Sequence, residues 1–259
     1  MPSSADLRKK SFPKILIVGD GGTQKTRFAA SCPSPYIFSF DDNLDAASSF
    51  SFDYDTFTDA PWRPPGKKQA TNEALGIYPW GTGWDKLVDK LDDEFWPLVE
   101  KGELPYRTIV LDSITTMANL SINQVLKLDN KTGKTNPLVQ HWGQQLRNLE
   151  TTIQEICTWP VIVVVTAHVR RDDNILTGER EMLPLIGGQF GAKVGVYFSE
   201  VYYTKVSGAG DKRKIELMTE PQGLYKMAKS GKNVPNGTEA KWSAVEKYLL
   251  GSNSSSASK

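Results

Sequence analysis

The chain has 259 residues, 39% of them hydrophobic and 24% charged, with a formal net charge of +1 at pH 7, enough for one large core or at most two small ones. That balance excludes attachment to nucleic acid by bulk charge, and no apolar run approaches the roughly 18 residues of a bilayer span. Two histidines and two distant cysteines, Cys32 and Cys157, make neither a zinc pattern nor a disulfide framework, and read as reduced thiols of a cytoplasmic protein.

Residues 1–12 form a polar, charged arm with no apolar segment behind it, so no secretory signal is expected. The first strand is expected at residues 15–18, at the head of ILIVGDGGTQKTRFAAS. A turn made of Gly19, Asp20, Gly21, Gly22, Thr23 and Gln24 leads into Lys25, Thr26 and Arg27, which open an alanine-rich helix. This is the phosphate-loop spacing G-x-x-x-x-G-K-[ST], except that Gln24 stands where the last glycine belongs. Backbone N–H groups converging at a helix start would hold a phosphate, Lys25 would reach the β/γ-phosphates, and Thr26 would ligate Mg²⁺. ATP and Mg²⁺ are therefore the expected cofactors. Gln24 fits that role if its backbone is helical and its side chain points away, and it leaves open whether bound nucleotide is turned over.

A second strand at residues 36–40 runs into Asp41 and Asp42, either of which could orient an attacking water, with helix capping as the competing role. Residues 59–83, rich in Pro, Gly and Trp, read as an irregular surface insertion. Trp84, Leu87, Val88, Leu91, Phe95 and Leu98 then recur at helical spacing and form one apolar stripe. The strand at 108–111 ends in Asp112, where an acid either holds Mg²⁺ beside Thr26 or caps the helix that follows Ser113.

Residues 127–141 read as a flexible basic loop carrying Lys127, Lys131 and Lys134, and Trp142, Leu146, Leu149, Ile153 and Ile156 as a second helical stripe. The β-branched run at 161–166 lacks polar alternation, as a strand covered on both faces does. His168 follows it and would face the γ-phosphate as a hydrogen-bond donor, provided this strand lies beside the phosphate-loop strand. VRRDDNILTGERE, with Arg170 and Arg171, reads as a second mobile loop. Further strands are expected at 200–206, 214–219 and 223–227. Residues 205–232 hold a net charge of +4 against −3 for the remainder, and 251–259 form a low-complexity tail. Alternating strands and helices imply an α/β fold over residues 13–250, with a mostly parallel central sheet and antiparallel strands toward the C-terminus.

The order of GDGGTQKT, YIFSFDD, TIVLDSIT, VIVVVTAH and GLYKMAKSGKNVP resembles the RecA-like core ATPases carried by bacteriophages. Among these it is most similar to the short RecA/RadA-related single-strand annealing proteins, over about residues 13–235, with GWDKLVDKL and TAHVRRDDNILTGEREMLPLIGGQFG as its more specific parts. The resemblance implies a RecA-like P-loop NTPase core that binds ATP at a subunit interface of a homo-oligomer, ring or filament. It also implies DNA-dependent ATP hydrolysis, with single-stranded DNA and a single-strand binding protein as partners. Lys25 and Thr26 match the phosphate and Mg²⁺ positions, Asp112 the acid that holds the metal, and Asp41 falls about where the catalytic acid lies. His168 matches a polar residue linking γ-phosphate to DNA, and Lys229 and Lys232 match a basic pair reaching the neighbouring subunit's nucleotide. Lys127, Lys131, Lys134, Arg170 and Arg171 would supply salt-sensitive contacts to DNA phosphates. Two alternatives stay open: a nucleotide-gated annealing module with little hydrolysis, and a P-loop assembly factor without a DNA role.

Overall fold

In the computed structural model, which describes residues 12–59, 81–131, 136–173, 178, 180–188 and 190–251, the apolar runs form the middle of one large sheet. In chain order the strands are β1 (Lys14–Val18), β2 (Pro35–Ser39), β3 (Asp53–Thr56), β4 (Thr108–Asp112), β5 (Ile162–Ala167), β6 (Val169–Asp173), β7 (Arg180–Pro184), β8 (Glu200–Ser207), β9 (Lys214–Met218), β10 (Lys229–Ser230) and β11 (Thr238–Glu239). The sheet order is β11-β9-β8-β1-β5-β4-β2-β3, with β10 beside β8, while β6 and β7 make a separate hairpin. From β8 across to β3 every pairing is parallel, and β9, β10 and β11 join antiparallel. This is the expected α/β architecture, a mostly parallel central sheet with antiparallel strands toward the C-terminus.

The helices are α1 (Lys25–Ala30), α2 (Gly83–Lys90), α3 (Trp96–Lys101), α4 (Ile114–Leu128), α5 (Val139–Thr158), α6 (Phe190–Lys193) and α7 (Trp242–Leu249). A single wider turn, Leu91–Phe95, joins α2 to α3. Its cause is local: Pro97 has no N–H for the carbonyl four residues back, so the ladder slips by one residue.

Both faces of the central strands are covered, which is why β5 shows no polar alternation. Leu16, Val18, Phe38, Leu111, Val163 and Val165 pack on one side with Met117, Leu149 and Ile153. Ile15, Ile17, Ile37, Val110 and Val164 pack on the other with Phe28 and Trp242. Parallel register brings the carboxyl ends of the strands to one edge: Val18 lies opposite both Ala167 and Tyr203, Leu111 opposite Val165, and Ser39 opposite Asp112.

Several expectations are corrected. Residues 223–227 form consecutive turns, with Gly223 at φ +51° and the Tyr225 N–H donating to the Gln222 carbonyl; the strands β10 and β11 follow instead. The basic loop is shorter than 127–141, because Lys127 and Leu128 complete α4 and Val139 begins α5. Arg170 and Arg171 lie on a paired strand rather than a mobile loop, since β6 and β7 pair from Val169–Pro184 to Asp173–Arg180. In α5 the buried face starts at His141 and Gln145, and Trp142 is 41% exposed. His141 is drawn in because its ring accepts from the Leu138 N–H at 2.9 Å and meets Asp129 at 2.9 Å. Of the expected insertion, Asp59 and residues 81–83 belong to the start of α2, where Asp59 accepts from the Thr82 and Gly83 N–H groups. Residues 60–80, Lys134, the arm through residue 11 and the tail from residue 252 lie outside the described residues. Cys32 and Cys157 are both free, and among the described residues no helix is long and apolar enough to cross a membrane.

Candidate nucleotide site

β1 ends at Val18, and the chain must turn sharply to start α1. Gly19 fits against β8 only because it lacks a side chain: a Cβ there would lie 1.8 Å from the Thr204 hydroxyl. Thr204 in turn bonds Thr23 at 2.7 Å, and Thr23 donates to the Asp20 carbonyl at 2.7 Å, so the loop is braced from beneath. Gly22 sits at φ +70°. The N–H groups of Gly21, Gly22, Thr23 and Gln24 donate to no backbone carbonyl among the described residues. Such a row of uncommitted donors is what a phosphate requires.

Gln24 departs from the sequence expectation in one respect. Its side chain is exposed, as required, but its backbone is left-handed (φ 63°, ψ 21°), not helical. The missing glycine is thus a conformational loss: a residue with a Cβ occupies the region where glycine is favoured. Gln24→Gly is expected to raise stability by about 0.5–1 kcal/mol, net of the greater chain entropy of glycine, read as a higher urea midpoint. Affinity for the phosphates should move less than about twofold, because glycine keeps the backbone N–H at this position.

Lys25 is buried, and its ammonium donates to the carbonyls of Gly19 (2.9 Å) and Asp20 (2.8 Å). Burial holds its pKa below the ordinary lysine value, although Asp112, Asp20 and Asp41 pull the other way. The Thr26 hydroxyl donates to Asp112 Oδ2 at 2.7 Å, across the intervening β5. The Thr166 hydroxyl donates to the other oxygen of Asp112, fixing the carboxylate in its plane. Asp112 does not cap the helix: that role falls to Ser113, whose hydroxyl accepts from the Thr116 N–H.

Asp41 and Asp42 point apart. Asp41 lines the cavity, with the Asn43 N–H donating to it at 3.2 Å, while Asp42 accepts from the Thr56 hydroxyl at 3.2 Å. Partial burial, then the charge of Asp112, push the Asp41 carboxyl up. His168 follows β5, the strand beside β1, and its N–H donates to Thr115 Oγ1 at 3.0 Å. Burial, then the Lys25 charge, lower its pKa below 6.5, which leaves the imidazole neutral at pH 7.

These groups enclose a cavity of about 220 Å³ lined by the loop from Gly21 to Arg27, Asp41, Asp112 and His168. Its donor set suits a nucleotide triphosphate with Mg²⁺. Thr26 and Asp112 would hold the metal, and no cluster of three or more acidic, His or Cys ligands exists among the described residues. A hard ion that keeps several waters and takes the rest of its shell from phosphates fits such a sparse set. Arg27 reaches outward, donating to the Ala46 carbonyl at 2.7 Å and lying over the Phe50 ring.

Other candidates are not brought to this cavity. Lys229 and Lys232 lie at the opposite end of β8 from the phosphate loop, since Ser230 pairs with Glu200, the residue level with Ile15. Lys127 pairs with Asp85 at 2.9 Å, Lys131 lies 4.0 Å from Asp129, and Arg170 pairs with Asp172 at 2.9 Å. Arg171 is different: it pairs with Asp20 of the phosphate loop at 3.0 Å. Exposed pairs of this kind contribute about 0–1 kcal/mol and yield readily to a stronger anion.

Sequence reasoning missed Thr166, Thr204 and Arg213. Thr166 had a signal, a hydroxyl closing a run of valines. Arg213, whose guanidinium donates to the Gly22 carbonyl at 2.9 Å, had none.

A family profile described as "AAA domain" matches residues 11–229. Two archaeal structures align at 13% identity. A KaiC-like protein from Pyrococcus horikoshii OT3 aligns over 80% of this chain and 77% of its own, with a TM-score of 0.37. The flagellar accessory protein FlaH from Methanocaldococcus jannaschii aligns over 82% of each chain, with a TM-score of 0.34. No curated protein matches the sequence.

Proposed function

The chain belongs to the AAA-domain family, and from that premise we propose that it is an ATPase whose turnover is governed by single-stranded DNA, of the annealing or recombination type. One observation carries the nucleotide half of this reading: Thr26 and Asp112, 86 positions apart, meet at 2.7 Å beside the Lys25 ammonium. Lys25 binds the phosphates, and Thr26 and Asp112 would hold Mg²⁺, which would supply charge neutralisation for phosphoryl transfer. Asp41 orients the attacking water, and the neutral His168 donates to the terminal phosphate oxygen. In a homo-oligomer Lys229 and Lys232 serve a neighbour's nucleotide, an assignment favoured by their distance from the loop of their own chain.

The DNA half is supported by the Arg171–Asp20 pair, which ties the β6–β7 hairpin directly to the phosphate loop. A DNA phosphate that draws Arg171 away frees an acid next to bound nucleotide, so occupancy of the two ligands is coupled. The test is ATP hydrolysis in Mg²⁺ with and without single-stranded DNA, with Arg171→Glu alongside. Turnover should rise by roughly tenfold or more with DNA in the wild type, and the stimulation should vanish in the variant. Turnover indifferent to DNA would remove the DNA role and leave an ATPase with another partner. DNA binding without turnover would favour the annealing-module alternative, for which the strained Gln24 is the supporting feature.

A further inference from the structure

A second cavity, of about 430 Å³, opens on the other side of the phosphate loop, where the β8–β9 hairpin and β11 meet Gln24. Gln24 lines both cavities, so the two lie on either side of the crest of the loop. Sheet order sets their sides: Asp41 follows β2, three strands to one side of β1, and β9 is two strands to the other. Pockets that enclose a whole cofactor or drug-sized ligand run to roughly 300–1,000 Å³. The 220 Å³ phosphate cavity falls below that range, which leaves the nucleoside half of a nucleotide to be placed elsewhere.

We infer that the second cavity takes the nucleoside half of the nucleotide, with Arg213 against the base and Glu216 and Glu239 toward the hydrogen-bond donors of the ribonucleoside. This rests on the phosphate-loop reading above. The Gly22 carbonyl tethers Arg213 at 2.9 Å, which holds a planar cation at the junction of the two cavities. A guanidinium plane stacks on aromatic rings as well as bonding anions, so it suits the place where phosphate chain gives way to base.

The far wall carries two carboxylates beside Lys214. Glu216 and Glu239 stand directly opposite one another in the β9–β11 ladder, an arrangement that costs a sheet stability. Lys205 faces Glu216 from β8, Ser207 donates to it at 3.3 Å, and Lys241 pairs with Glu239 at 2.5 Å, which offsets part of that cost. Carboxylates only accept hydrogen bonds. They therefore suit hydroxyl and amino groups better than phosphate, which favours phosphates at Lys25 and sugar and base at the glutamates.

The deciding measurement is the affinity of full-length Glu216→Gln for two ligands in Mg²⁺, ATP and inorganic tripolyphosphate. ATP binding should weaken by roughly tenfold, the scale of a lost hydrogen bond to a charged group. Tripolyphosphate should bind equally well or more tightly, because a repelling charge has gone. If the two ligands shift together, or neither shifts, the nucleoside assignment is overturned. Arg213→Ala is the second variant and should also cost more for ATP than for tripolyphosphate. Its effect on tripolyphosphate alone measures damage to the loop. Lys25→Ala separates the two readings. Loss of both ligands there, with no ligand-selective effect of Glu216→Gln, sinks only the nucleoside cavity. Retention of both ligands by Lys25→Ala sinks the phosphate reading, and this inference with it.

Discussion

Lys25→Ala should weaken ATP binding by about 100-fold or more and take turnover to background, the largest single effect expected in this chain. The argument begins with cost. Burying a charged lysine so that the residue is only 7% exposed is unfavourable, and its lowered pKa records that penalty. The fold offsets it with two loop carbonyls and three nearby carboxylates. The sign follows: a lysine whose folded pKa lies below 10.5 opposes folding while charged, and the opposition is relieved as pH rises from the folded pKa toward 10.5. Alanine removes that penalty along with two hydrogen bonds, so stability should change far less than affinity. Calorimetric titration with ATP and a urea melt on the same variant separate the two quantities. A variant that keeps its ATP affinity would place the phosphate elsewhere, whereas one that loses affinity only by unfolding would show it in the melt.

How much of this was legible depended on where the signal lay. The parallel strands were readable because burial on both faces leaves unbroken apolar runs, as in Val163, Val164 and Val165. The Lys25, Thr26 and Asp112 constellation was readable because a motif fixes two of its members and a strand end the third. What escaped was set by tertiary register. Thr204 braces Gly19 only because β8 adds parallel to β1, which no local pattern encodes. In β6 the arginines and acids that follow Val169 fall on both faces, so the strand shows no apolar alternation, and its charge suggested a loop. The two-residue strands β10 and β11 are too short for any period. The α7 helix, whose Trp242, Val245 and Leu249 close the core, was passed over beside the polar tail that follows it. Gln24 was legible as an anomaly but not as a conformation: the sequence showed that a glycine was missing, and only the backbone shows that the position is left-handed.

Asp41→Asn should lower turnover by about 100-fold, within the usual range for a positioned general base, while ATP affinity stays within a few-fold. Asp42→Asn is the matched control. Its carboxylate is engaged with Thr56, away from the cavity, and turnover should change less than about twofold. The pH dependence adds a second signature. Asp41 is raised above 3.8 by partial burial and by Asp112, so the acid limb of the rate profile should lie above the ordinary carboxylate range and disappear in the asparagine variant. The same shift fixes the stability sign. A carboxyl with a raised folded pKa binds its proton more tightly in the folded state, so ionising it opposes folding. Wild-type stability should therefore fall as pH rises from 3.8 through the folded pKa, and the asparagine variant should be the more stable protein at neutral pH. Lower activity with higher stability is the mark of a charge kept for chemistry. If Asp41→Asn lost activity and stability together, Asp41 would be a structural residue of the loop, and the water would have to be oriented by a group from another subunit.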